Sequence, residues 1–192
     1  GCTSLETLTI TTDSLEILGG AFCKGCTSLV NLTLPSGPNC NCLALDDSFL
    51  YGCSSLQTLN LYWPHNQGEQ RHIFENCTSL TDVYLHFEDS KYPQHFDDGF
   101  FAGCTNVEII DFRNWTNILG FSGTFLSGNN TQGQVKLILP DKQLPIVKSY
   151  NNIGGTDFRG KLYVSPTQEN WYKNNANNWT KKFDIYTYDE LS

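Results

Sequence analysis

The sequence contains no methionine and no run of eighteen or more apolar residues. The second absence excludes a membrane-spanning helix, which needs roughly 20 apolar residues in a row. No charged-then-apolar leader stands at the amino terminus either, so residue 1 reads as the start of a mature or excised piece. Basic residues are scarce over most of the chain: residues 1–140 carry 5 Lys and Arg against 14 Asp and Glu, a net of -9. A body this acidic repels phosphate backbones, which sets aside nucleic acid and anionic membrane surfaces as partners. Patterns that carry chemistry are missing too. None of His65, His72, His86 and His95 stands in a metal spacing such as H-x-x-x-H, and neither G-x-S-x-G nor a phosphate-cradling glycine loop occurs. No catalytic set emerges, so the chain reads as a non-enzyme without a cofactor.

What is present is a repeat. One pentapeptide recurs as Gly1-Cys2-Thr3-Ser4-Leu5, Gly25-Cys26-Thr27-Ser28-Leu29, Gly52-Cys53-Ser54-Ser55-Leu56, Asn76-Cys77-Thr78-Ser79-Leu80 and Gly103-Cys104-Thr105-Asn106-Val107. Its cysteines lie 24, 27, 24 and 27 residues apart. Three, six and eight residues after each cysteine come Leu5, Leu8, Ile10; Leu29, Leu32, Leu34; Leu56, Leu59, Leu61; Leu80, Val83, Leu85; and Val107, Ile110, Phe112. Four residues before it stands Phe22, Phe49, Ile73 or Phe100. A sixth, degenerate coil follows, with Phe125 ahead of Gln134–Pro140 and with no cysteine. The last two apolar positions alternate with period two, so both point to one side of a short strand. One coil cannot bury that side alone; stacked coils place strand beside strand in a parallel sheet. The expected fold is therefore a β-rich repeat solenoid with a parallel concave sheet. The pairs Leu15 and Ile17, Leu43 and Leu45, and Ile118 and Leu119 predict short convex strands. Helix should be scarce, with a helical turn expected only in the stretch before each cysteine, such as Gly20–Lys24.

The pattern Ala21-Phe22, Gly25-Cys26-Thr27-Ser28-Leu29 and Leu32-Thr33-Leu34-Pro35 resembles the Treponema pallidum-type leucine-rich repeats of BspA-like surface proteins. The resemblance covers roughly residues 1–140. It implies a secreted or cell-surface protein, bacterial in most members, adhesin-like, with an extracellular protein or glycan as partner. His86 and Arg113 depart from it where a proline follows the strand.

Residues 141–192 change composition and predict a strand–helix–strand cap. Leu162 and Val164 would face inward, Ser165 and Pro166 would start a helix, and Gln168 would close a capping box. That helix would carry Trp171 and Tyr172 and fray along Asn174–Asn178, before a last extended segment with Phe183, Ile185 and Thr187. Pro166, Tyr172-Lys173 and Asn178-Trp179 are similar to the terminal segment of the same family. The aromatics here fit a hydrophobic lid, with sugar platforms as the alternative. At the other end the chain opens in mid-coil, which predicts further coils before it or end-to-end self-association.

The five repeat cysteines fit a ladder of buried, inert thiols. Cys23, Cys40 and Cys42 lie outside it and are open to coil packing, a disulfide or metal ligation. Asp46-Asp47 and Asp97-Asp98 fit solvated turns, with calcium as the alternative. Alternation places a second set of residues on the outward side of the sheet. The early coils offer threonines there, and Ile138 and Pro140 continue the rows. From the third coil the surface gains Tyr62, Trp63, Asp82, Tyr84, His86, Asp111, Arg113 and Trp115, the residue types that dominate interface centres. These form the candidate partner-binding patch. The competing reading is a structural spacer or self-assembling protein with no specific ligand.

One prediction separates the two sides of the strands. Leu85→Asp should unfold the array by burying an unpaired charge. Tyr84→Ala combined with His86→Ala should leave stability within about 1 kcal/mol, as measured by chemical denaturation.

Overall fold

Each pentapeptide makes the same turn. In the computed structural model the Cys2, Cys26, Cys53, Cys77 and Cys104 carbonyls accept from the N–H three residues on, at 3.0 to 3.3 Å. The residue before the cysteine takes a left-handed backbone: φ is +70° at Gly25, +74° at Gly52, +61° at Asn76 and +69° at Gly103. Glycine adopts this region without a Cβ penalty, and asparagine is among the few residues that tolerate it. That requirement explains the first letter of the repeat and its one exception. The model describes residues 1–11, 17–35, 44–45, 47–62, 71–86, 94–96, 98–129, 132–144, 153–154, 158–174 and 177–191.

After each turn the chain extends into a strand of the inner-row sheet. These are β1 (Thr7–Thr9), β3 (Asn31–Thr33), β5 (Thr58–Tyr62), β6 (Asp82–His86), β8 (Ile109–Asp111) and β10 (Gln132–Ile138). The return paths carry β2 (Ile17–Leu18), β4 (Ala44–Leu45), β7 (Gln94–Phe96) and β9 (Ile118–Phe121). Then come β11 (Arg159–Val164), α1 (Glu169–Asn174), α2 (Asn177–Thr180) and β12 (Phe183–Thr187). Strands β5, β6, β8, β10, β11 and β12 form one sheet in that order, β1 pairs with β3, and every pairing is parallel. The register follows the repeat: Leu59 pairs with Val83, Val83 with Ile110, and Ile110 with Leu137. On the return side β2 pairs with β4 and β7 with β9, again parallel. The chain is thus a leucine-rich-repeat solenoid with little helix.

The inner rows are buried from the third coil onward, whereas Leu5, Leu8, Ile10 and Leu32 are only partly covered. Phe22 is 51% exposed and stacks on Phe49, which is fully buried. The return side adds what the repeat pattern does not mark. Phe96 on β7 packs against Phe100, Phe112, Trp115, Phe121 and Phe125, with ring centroids 4.7 to 5.8 Å apart. Aromatic pairs of this kind add about 0.5–1.5 kcal/mol each beyond their buried area.

A second ladder joins the coils through their turns. Cys23, Leu50 and Phe74 donate backbone N–H bonds to Phe49, Ile73 and Phe100 of the next coil, at 2.9 to 3.0 Å. Gly25, Gly52, Asn76 and Gly103 do the same to Tyr51, Glu75, Ala102 and Ser127, at 2.7 to 2.8 Å. The thiols join in. Cys53 donates to the Cys23 carbonyl at 3.1 Å, Cys77 to Leu50 at 3.2 Å and Cys104 to Phe74 at 3.0 Å. Each of these carbonyls also accepts the N–H of its own coil's cysteine.

Several local expectations are corrected. Residues 20–24 form successive three-residue-spaced turns, Phe22 to Gly19 and Lys24 to Ala21, and no helix. Strand β2 is Ile17–Leu18, with Leu18 buried, where a short convex strand was expected; Leu15 and Leu43 lie outside the described residues. Leu119 is exposed beside the buried Ile118. Ser165 accepts from the Thr167 N–H at 3.4 Å, but Gln168 closes no capping box and instead donates to Asp141 at 3.1 Å. α1 stops at Asn174, and Asn177–Thr180 forms α2 rather than fraying. Tyr172 and Trp179 are buried, donating to the carbonyls of Lys142 at 2.8 Å and Leu144 at 2.9 Å. The aromatics of this segment are therefore a lid over the core.

The sixth coil keeps the turn without the thiol. Gly128 has φ +74°, and Asn129 occupies the cysteine position, with its N–H 3.2 Å from the Leu126 carbonyl. Asn129 is buried, and neither its Nδ2 nor its Oδ1 has a hydrogen-bond partner. Leaving such groups unmet costs about 1–3 kcal/mol. Asn129→Cys should therefore raise stability by about 1–3 kcal/mol, read as a higher denaturant midpoint at unchanged slope. A lower midpoint would mean that the asparagine is better accommodated than its bonding implies.

Candidate functional site

The outward side of the sheet is built by the residues between the inner rows. Successive strands bring Asn60, Tyr84 and Asp111 into one row, and Thr58, Asp82, Ile109 and Lys136 into the next. Tyr84 is 55% exposed, and Ile109 also presents apolar surface to solvent. Between these strands lies a shallow groove of about 270 Å³, lined by Asp82, Val83, Tyr84, Ile109, Asp111, Arg113, Lys136, Ile138 and Leu191.

Arg113 and Asp111 are locked together. The guanidinium Nε donates to both carboxylate oxygens at 3.1 and 3.0 Å, Nη2 donates to one at 2.6 Å, and the Arg113 N–H adds a bond of 2.9 Å. These bonds raise the guanidinium pKa above its ordinary value. A forked pair of this kind is stronger and more directional than a point contact. Asp82 accepts from the Thr81 hydroxyl at 2.9 Å.

Of the eight residues expected in the patch, Asp82, Tyr84, Asp111 and Arg113 line this one groove. Tyr62 and His86 end β5 and β6 in register with each other, and Trp63 lies outside the described residues. Trp115 does not belong to the face. It is 2% exposed, packs on Phe96 and Phe112, and donates its indole N–H to the Leu85 carbonyl at 3.1 Å. Alternation holds only while the backbone is extended, and the turn closed by Trp115 N–H on Phe112 O, 2.9 Å, swings the indole inward.

Ile138 was expected on the outward face and is 1% exposed. The end of the chain reaches it. After β12 a 3-10 turn, Tyr188–Glu190, is closed by the Glu190 carboxylate accepting from the Thr187 N–H at 2.7 Å. Tyr188 donates its hydroxyl to the Leu139 carbonyl, and Leu191 reaches the groove. Tyr163 and Tyr186 stack beside this turn with ring centroids 5.4 Å apart. Burial raises the Tyr163 phenol and pushes that of Tyr188 up to about 12. Sequence reasoning missed these residues, although Tyr163 sits between inward Leu162 and Val164, and Tyr186 between Ile185 and Thr187. The alternation was there to be used.

The chemistry-bearing candidates are structural where they are described. Cys23, Cys26, Cys53, Cys77 and Cys104 are free and buried; Cys2, also free, is exposed. Cys23 packs in the core, and Cys40 and Cys42 lie outside the described residues. Asp47 accepts from the Arg71 N–H at 2.9 Å, and Asp98 from the Thr124 hydroxyl at 3.1 Å, so each ties its coil to the next. Asp46 and Asp97 lie outside the described residues. Among the described residues no group of three or more His, Cys, Asp or Glu is placed to hold a metal ion.

A family model described as the BspA type leucine-rich repeat region matches residues 1–125 in six copies. The chain belongs to the BspA-type leucine-rich repeat family. No curated protein and no solved structure matches it. BspA-type repeats are binding and structural modules, and solenoids of this kind present extended surfaces to partners. Among the described residues no helix is long and apolar enough to cross a membrane.

The thiol ladder of this BspA-type array generates a pH prediction. Burial pushes the thiols of Cys23, Cys53 and Cys104 up from 9.0 to about 12. The unfolded chain therefore releases protons between about pH 9 and 12 that the folded chain keeps, so stability is full below pH 9 and falls as pH rises through that window. Each thiol should contribute a loss of about 1.4 kcal/mol per pH unit. Denaturant titrations under reducing conditions should show this slope, and Cys53→Ala should make it shallower.

Proposed function

We propose that this chain is a secreted or cell-surface, adhesin-like binding module that holds an extracellular protein or glycan on its concave sheet. The observation that carries the reading is the exposed Tyr84 beside exposed Ile109 at a groove, on a face whose first coils offer Thr9 and Thr33. Large aromatic side chains that face solvent on a rigid sheet bring contact area at little conformational cost. Asp82, Asp111 and Arg113 border the same groove, and the proposed surface includes Tyr62 and His86, which end β5 and β6 in register; Trp63 is proposed with them from the sequence alone and lies outside the described residues. Trp115 is left out of it.

In this reading residues 1–140 are the repeats and residues 141–192 the strand–helix–strand cap. The acidic body keeps nucleic acid away, and no residue acts as a catalyst. The partner is bound outside the cell, and the bacterial surface is the expected setting.

A screen of extracellular-matrix proteins and glycans against the immobilised chain tests the proposal. At least one partner should bind and lose affinity by about tenfold in Tyr84→Ala, with stability kept within about 1 kcal/mol. If every partner tried is indifferent to Tyr84, while assembly rises with protein concentration, the chain is a self-assembling spacer instead.

A further inference from the structure

The groove beside Tyr84 has properties that narrow what it can hold. Val83, Tyr84, Ile109, Ile138 and Leu191 give it apolar walls. Its carboxylates already have partners: Asp111 is taken by the fork of Arg113 and by a backbone N–H, and Asp82 accepts from Thr81. A sugar is recognised by polar groups left free to meet its hydroxyls, and here the forked Arg113–Asp111 pair is already engaged with itself. The groove, about 270 Å³, has room for one large side chain.

The protein itself supplies an example of what fits. Leu191, carried on the 3-10 turn that crosses the outward face, is one wall of the groove. An aliphatic group presented by a short stretch of polypeptide therefore reaches the edge of this groove. Charge selects further. The lining is balanced, with Asp82 and Asp111 against Arg113 and Lys136, but the chain as a whole carries a net of -8. A field of that sign concentrates cationic segments and turns anionic ones away.

We propose that the groove takes one large apolar side chain presented by an extended, lysine- or arginine-rich segment of a protein partner, with Tyr84 and Ile109 as its open walls. This rests on the reading of the sheet's outward side as a binding face. It deepens that reading by choosing protein over glycan and by naming the anchor.

The test uses a fluorescein-labelled lysine-rich peptide with one central tryptophan, titrated into the full chain and followed by anisotropy. Controls replace the tryptophan by serine or the lysines by glutamate, and a neutral oligosaccharide, cellopentaose, serves as competitor. The tryptophan peptide should bind, and binding should weaken about tenfold with the serine peptide and in Tyr84→Ala or Ile109→Ala. It should be lost with the glutamate peptide and fall as salt rises. Both substituted residues are exposed, so the variants retain the fold, which thermal melts check. Equal binding of the serine peptide, indifference to both substitutions, or displacement by cellopentaose overturns the inference. If the peptide fails while a screened partner still depends on Tyr84, this inference falls and the binding-face reading stands. If neither depends on Tyr84, both fall.

Discussion

The array depends on a carbonyl group that serves two coils. Three residues before Cys26, Cys53 and Cys77, at Cys23, Leu50 and Phe74, the backbone oxygen accepts the N–H of its own coil's cysteine and the thiol of the next one. The first bond closes the turn and the second fixes the neighbour's position against it. A thiol is a weak donor, so its worth here lies as much in being small and apolar enough to sit at a crowded turn. Serine would fit the space but carries a hydroxyl that is costlier to bury, and larger side chains would force the coils apart. The left-handed residue before the cysteine is the other half of this arrangement: its own N–H goes to the following coil, as from Gly25 to Tyr51, and it turns the cysteine N–H back onto its own coil.

With the turns fixed, the strands have little freedom left. Register between coils is set by the cysteine spacing, so inner and outer rows cannot exchange without breaking the ladder in the turns. Residues on the outward side carry none of this burden. Tyr84 and Ile109 touch solvent, and Asp111 and Arg113 satisfy each other within their own coil. The face can therefore change its chemistry while the stack below it stays the same. The core on the return side is less uniform. Phe96, Phe100, Phe121 and Phe125 gather in the fourth to sixth coils.

Repetition made most of this fold legible in the sequence. Leu59, Val83, Ile110 and Leu137 were expected in one inner row and pair in that order. Period-two alternation has no meaning past the end of a strand, and there the reading failed: Trp115 follows a turn and points into the core. Phe96 gave no signal, because its strand is three residues long and set among polar ones. The site was half legible. Asp82, Tyr84, Asp111 and Arg113 come from alternation within coils, whereas Leu191 reaches the groove from the far end of the chain and Ile138 is buried. Such long-range returns leave no periodic trace.

The coil spacing has a consequence for how such a chain can grow. Consecutive strands are offset by 24 residues between β5 and β6 and by 27 between β6 and β8. Cys2, Cys53 and Cys104 are consequently 51 residues apart, as are Cys26 and Cys77. In the sequence the length difference falls between the last inner residue of a strand and the apolar residue four before the next cysteine: Leu34 to Phe49 and Leu85 to Phe100 are longer than Ile10 to Phe22 and Leu61 to Ile73. Copying or deleting a block of two coils would leave every joint identical to one already in use. The heritable unit is then the pair, and a gene of this kind can change the reach of its product in whole pairs without inventing a new contact.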